Sequence, residues 1–256
     1  MRGLLRDTYL ELIDRRLFII YIAITALAAL VMFVIDFSSF EAQINGVKQM
    51  GFDPLVSTIS TFVELLVFMT VMASAGLIPS MLVKGRVDFY LSRPVSRSYL
   101  YLNRMLAIWV VYGALMVACS GVIILIAWLR TGMLESSITY LPIVHLLGLF
   151  IWVTITCCAG VMFGSTPMVI VSAFGIWVLQ YILSFHEQAR QLFQSDLANM
   201  IFTTLYHITP KTGEISTLAT DLANGKMVEY TPLWSSLIVS LFIILTGLAL
   251  FKKKSF

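Results

Sequence analysis

Three side chains able to exchange protons or hydrogen bonds interrupt otherwise apolar stretches of this chain: Glu64, His145 and Gln180. A carboxylate, an imidazole and an amide in the outer third of a membrane form a polar layer that could line an outward cavity or contact a substrate head group. Ionisable groups in lipid are rare and often functional. The plainer reading is that they snorkel to the interface or satisfy one another between helices, and interfacial depth, which lowers their cost, favours it. Other chemistry has less support. No G-x-x-x-x-G-K-[ST] loop is present to cradle a nucleotide phosphate, and no H-E-x-x-H pair to hold a catalytic zinc. Ser120, within Ala118-Cys119-Ser120-Gly121, has no base at similar depth and is expected to hydrogen-bond its own helix. Met69 and Met72 share a helical spacing and thioethers suit Cu(I), but methionine in an apolar helix ordinarily fills packing gaps. The chain is expected to carry no catalytic residue, metal or cofactor of its own.

The elements that position these groups follow from composition. Of 256 residues, 59% are hydrophobic and 12% charged, about half the charged fraction of a soluble domain. So apolar a chain belongs in lipid. Its basic residues lie in short segments at membrane edges, which gives no footprint for nucleic acid. Cys119, Cys157 and Cys158 all lie within apolar runs and read as small hydrophobes, not a disulfide framework. The first apolar run is too long for a cleavable signal and no small-residue cleavage site follows it.

Apolar runs predict six transmembrane helices at about 18–35, 59–83, 105–129, 141–163, 168–185 and 232–251, in one domain over 1–256. Residues 136–185 contain no Asp, Glu, Lys or Arg, and those fifty residues match two spans joined at Gly164-Ser165-Thr166-Pro167. Residues 1–16 place Leu4, Leu5, Tyr9, Leu12 and Ile13 on one face, as in a helix lying in the headgroup plane. Between the fifth and sixth spans, apolar residues at helical spacing predict two amphipathic helices flanking Pro210. With both termini inside, twelve Lys and Arg fall on the cytoplasmic side and five outside, the asymmetry that sets orientation.

One long run between two spans is both polar and basic, 84–104, KGRVDFYLSRPVSRSYLYLNR. Val87, Tyr90 and Leu91 fall at helical spacing, Pro94 breaks the helix because it disfavours that conformation in the residue before it, and Ser96 can cap the next one. The pattern is a short amphipathic cytoplasmic helix at about 85–91, a break, and the start of the third span.

With these elements in place the chain resembles an ABC-2 type transporter permease, closest to the small, six-span, NosY-like members. The resemblance rests on Lys84-Gly85-Arg86, the helix Val87-Asp88-Phe89-Tyr90-Leu91 and, most specifically, Ser92-Arg93-Pro94-Val95-Ser96-Arg97. Tyr9-Leu10-Glu11-Leu12 through Arg15-Arg16 resembles the family's elbow helix, and Leu205-Tyr206-His207-Ile208-Thr209-Pro210 its external region before the last span. Where the family often carries an acidic–basic cluster, this chain has Ser80-Met81-Leu82-Val83. The resemblance implies a dimer, with a second copy or a paralogue, in a bacterial or archaeal cytoplasmic membrane. It implies a separate cytosolic ATP-binding subunit that holds ATP and Mg. The short helix would be the coupling helix that docks on that subunit through Gly85, Arg86, Val87, Asp88, Tyr90, Leu91, Arg93 and Pro94. The implied function is to couple ATP hydrolysis to outward substrate movement or to mechanical signalling across the membrane. The alternative, from a different class, is an ATP-independent scaffold or secondary transporter. A carrier of that second kind is expected to hold ionisable residues near the midplane, and these spans have none there.

Overall fold

The computed structural model describes residues 6, 9–10, 17–34, 54–83, 96–131, 136–185 and 196–254. Its elements in chain order are α1 (Leu17–Val34), α2 (Pro54–Ser74), α3 (Leu77–Met81), α4 (Arg97–Thr131), α5 (Tyr140–Phe163), α6 (Thr166–Ser184), α7 (Asp196–Ile208), α8 (Thr212–Ala223) and α9 (Thr231–Lys253). A 3-10 turn, Ser136–Thr139, leads into α5, and no strand occurs among the described residues. Five stretches are long and apolar enough to cross a membrane: Leu55–Met81, Arg97–Arg130, Ser137–Phe163, Thr166–Ser184 and Thr231–Lys253. A further apolar helix, Ile19–Val34 within α1, is shorter. The chain is an all-helical, multi-pass membrane protein.

A helix apolar all round must be surrounded, and α5 is. It packs against α2, α3, α4, α6, α8 and α9. Small residues along it, among them Gly148, Ala159 and Gly160, let neighbouring backbones approach closely. Outside this centre, α6 and α9 turn Val171, Phe174, Trp234 and Phe242 outward. In water such a surface would drive aggregation; against lipid tails it is an ordinary solvent contact.

Two boundaries differ from those expected. The second span, expected at 59–83, starts at Pro54 and breaks at Ala75–Gly76 before resuming as α3. Pro79 explains the break, since its ring clashes with a helical carbonyl four residues earlier, at Ala75, and it has no N–H to bond there. The third span, expected at 105–129, belongs to a helix that already starts at Arg97. Ser96 Oγ accepts the Tyr99 N–H at 3.3 Å, capping the helix well before its apolar stretch. The α5–α6 turn falls at Gly164, whose φ of 65° is left-handed and whose N–H donates to the Gly160 carbonyl at 3.0 Å. Gly164→Val is expected to destabilise the fold by about 1–2 kcal/mol, and Gly164→Asn by less, because asparagine visits this conformation. Unfolding midpoints in a detergent–SDS titration test the order.

Contacts define the two ends of the bundle. At one, the Arg97 guanidinium donates to the carbonyls of Lys254 at 2.8 Å and Lys252 at 3.2 Å. Lys254 Nζ donates in turn to the Val161 carbonyl at 2.7 Å, and the Tyr101 and Phe251 rings sit 5.7 Å apart. The start of α4 and the ends of α5 and α9 therefore meet there. At the other end, Arg130 donates to the Met32 carbonyl and stands 5.9 Å from the Phe33 ring, joining the ends of α1 and α4. Deeper in the bundle, Thr70 Oγ1 donates to the Leu66 carbonyl at 2.9 Å, so the buried Tyr21 hydroxyl donates to Thr70, tying α1 to α2.

Of the expected interfacial helix, Arg6, Tyr9 and Leu10 are described; they are helical and exposed. The rest of 1–16 lies outside the described residues, as do Gly85, Arg86, Val87, Asp88, Tyr90, Leu91, Arg93 and Pro94 of the expected coupling helix.

Candidate functional site

The polar layer forms where α8 lies against the bundle. The apolar face of α8 buries Ile215, Leu218, Ala219 and Ala223, and Ile215 packs beside Gly148 of α5. Thr212, Ser216 and Thr220 recur every fourth residue, so they form a stripe along one side of the helix. Each meets a polar group of the spans. Thr212 Oγ1 donates to Gln180 Oε1 on α6, and Ser216 Oγ donates to Glu64 Oε1 on α2. Ser216 Oγ also stands 3.4 Å from His145 Nε2 on α5, and Thr220 Oγ1 lies 2.9 Å from Ser60 Oγ on α2.

Glu64, His145 and Gln180 thus converge on one helix, although they come from three different spans. Glu64 and His145 share Ser216, while Gln180 is served one turn earlier by Thr212. His145 is buried, and its Nδ1 donates to the Leu141 carbonyl at 2.8 Å. Because a carbonyl only accepts, the proton sits on Nδ1 and the ring is fixed with Nε2 toward Ser216. Gln180 Nε2 is buried with no hydrogen-bond partner among the described residues.

Two clefts with aromatic side chains in their walls open beside this layer. One, of about 180 Å³, is lined by the polar Glu64, His145 and Ser216 and by the aromatic Phe68, Trp152 and Phe174. The second, of about 280 Å³, lies between α6 and the α7–α8 pair, with Gln180, Tyr206, Lys211 and Glu214 in its wall. Trp177, Thr212 and Gly213 line both. Polar groups backed by aromatic walls suit a molecule with a polar head and an apolar body.

The chemistry of Ser216 is that of a tether. Its proton is directed to Glu64, and 3.4 Å to His145 exceeds the reach of a nucleophile–base pair. Ser120 Oγ donates to the Val117 carbonyl of its own helix at 3.0 Å. The three cysteines are buried and free, and among the described residues no group of three or more His, Cys, Asp or Glu could hold a metal ion. Met72 lines the smaller cleft among apolar neighbours.

Reasoning from the sequence finds the three polar residues in the spans and misses Thr212, Ser216 and Lys211. The i, i+4 spacing of Thr212, Ser216 and Thr220 was the available signal, set beside the apolar face of a predicted amphipathic helix. A scan against protein-family models gives no match, and a search of curated proteins gives none either.

Proposed function

We propose that the chain is the transmembrane permease subunit of an ABC-2 type exporter. A separate cytosolic ATP-binding subunit hydrolyses ATP, and this subunit converts the resulting motion into outward substrate movement or a mechanical signal. The observation that carries the reading is the clasp on Arg97. It is the last cation of the LSRPVSR string, and the carbonyls of Lys252 and Lys254 hold it at the end of α9. A docking helix in the preceding segment would transmit force through that clasp to α4, α5 and α9 together, since Lys254 also ties to α5.

In this reading the basic end of the bundle faces the cytoplasm and the α8 layer faces outward, in agreement with the cation count. α1 supplies the sixth span: its 18 residues make about 27 Å of helix, close to the roughly 30 Å of a hydrocarbon core. The permease works as a dimer in a bacterial or archaeal cytoplasmic membrane. Substrate passes between the two copies or paralogues.

The test is recovery of an ATPase with the tagged chain from native membranes. The expected result is an eluate with ATPase activity that falls to background when Arg86, Asp88 and Arg93 are replaced together by alanine. Activity that survives the triple change moves the docking surface elsewhere. An eluate with no ATPase, from membranes solubilised in a second, milder detergent as well, favours a scaffold and overturns the proposal.

A further inference from the structure

Lys211 stands between α7 and α8 and is 9% exposed. Burying an ammonium group is costly unless a counter-charge or strong acceptor meets it. The structure offers Lys211 an aromatic face: Nζ lies 3.9 Å from the centroid of the Tyr206 ring. No carboxylate pairs with it among the described residues; Glu214 lines the same cleft, but its Oε1 accepts the Tyr206 hydroxyl at 2.7 Å. The backbone around Lys211 is fixed, since its N–H donates to the buried Ser236 Oγ at 2.8 Å. A buried cation on a fixed backbone, with no anion among the described residues and in the wall of an open cleft, is an arrangement that a ligand can complete.

Two further features of the cleft have the same sign. Gln180 Nε2 is buried there with its donor capacity unused, because its Oε1 is already engaged by Thr212. The first turn of α8, Thr212 to Glu214, also lines it, and a helix leaves the N–H groups of its first turn unpaired and carries positive dipole charge there. Trp177 and Tyr181, which flank Gln180 on α6, line the same cleft and are exposed, offering flat apolar surfaces beside these donors.

We propose that this cleft binds the acidic group of an amphiphile, a phosphate or a carboxylate, with Lys211 as the cation, Gln180 Nε2 as a donor and Trp177 and Tyr181 against the apolar body. The site does not depend on an ATPase partner, and failure of the export reading would leave it standing.

The test uses the full chain, with whatever subunits co-purify, in a neutral maltoside detergent. A photoactivatable long-chain fatty acid is the probe, its matched fatty alcohol is the control, and labelled peptides are mapped by mass spectrometry. The acid is expected to label the residues of α6 and α8 around the cleft and the alcohol is not. Lys211→Met is expected to weaken that labelling about tenfold, which corresponds to about 1.4 kcal/mol of binding. Gln180→Leu should weaken it less. Lys211→Arg keeps the charge and should retain it, and Lys226→Met, whose lysine pairs with Asp221 at 2.9 Å, should leave it unchanged. Equal labelling by acid and alcohol overturns the proposal, as does a Lys211→Arg loss equal to that of Lys211→Met. Protection by inorganic phosphate at the potency of the fatty acid itself would overturn the amphiphile and leave a free-anion site. Gln180→Leu, made without touching the lysine, keeps the test open if Lys211→Met does not elute as a folded species: full labelling in that variant counts against the site.

Discussion

Gly160→Ala is expected to destabilise the bundle by about 1–3 kcal/mol, the cost of overpacking a closely fitted core. A Cβ at Gly160 would stand 2.8 Å from Ile78 Cβ, 3.0 Å from Ile78 Cγ2 and 3.2 Å from Pro79 Cδ. A rotamer change could swing Ile78 Cγ2 away, but Ile78 Cβ, the nearest atom, and Pro79 Cδ are fixed to the backbone and cannot be moved aside that way. The short helix α3 itself must shift. Because α3 ends just before the basic segment that starts at Lys84, the shift should also reach the expected docking helix. Two measurements follow: the unfolding midpoint in an SDS titration should fall, and ATPase recovered with the chain should fall with it. Gly121→Ala and Gly175→Ala provide the contrast, since nothing lies within 4 Å of a Cβ at either position. Both should match the parent or gain up to about 1 kcal/mol from helix propensity. A Gly160→Ala protein as stable as Gly175→Ala would show that α3 is not seated on α5 as described.

The contrast among these glycines also shows where sequence reasoning reaches its limit. The turn at Gly164 was legible because glycine, serine, threonine and proline stand together inside an unbroken apolar run. The break at Ala75–Gly76 was not, although Gly76 and Pro79 were both visible. Continuous hydrophobicity from Ile59 to Val83 reads as one helix, and the proline's effect appears only when the carbonyl four residues earlier is considered. The start of α4 was legible in its cap, Ser96, but apolarity placed the boundary later, because a helix can extend past the lipid on polar residues. The polar layer was half legible. Glu64, His145 and Gln180 stand out as exceptions in apolar spans, whereas Thr212 and Ser216 look like the ordinary wet side of an amphipathic helix. Ser216 is 152 residues from Glu64, and no local periodicity carries that pairing. Lys211 had already been counted as an outside cation; nothing in its neighbours signals that Tyr206 covers it.

Ser216→Ala is expected to lower stability by about 0.5–1.5 kcal/mol, the net contribution of an ordinary hydrogen bond. The substitution removes the hydroxyl that donates to the exposed Glu64 and contacts the buried His145. The helix should loosen without detaching, because Thr212 still holds Gln180 and Thr220 still meets Ser60. A double-mutant cycle isolates the pair. Glu64→Leu combined with Ser216→Ala should cost less than the two single changes together, by about 0.5–3 kcal/mol, as contacting residues do. Glu64→Gln keeps an oxygen to accept from Ser216 and should stay near the parent midpoint. The same variants decide between a structural and a substrate-contacting layer. An amphipathic helix that seats four apolar residues on the spans brings its polar flank against them as well, and each of the three polar groups ends on that flank. The layer is therefore expected to serve first in docking α8. Reconstituted export by Glu64→Gln should equal that of the parent, and export by His145→Ala should fall only in proportion to the folded fraction. A loss of export in Glu64→Gln at an unchanged unfolding midpoint would reverse the assignment, making the carboxylate a contact of the transported molecule.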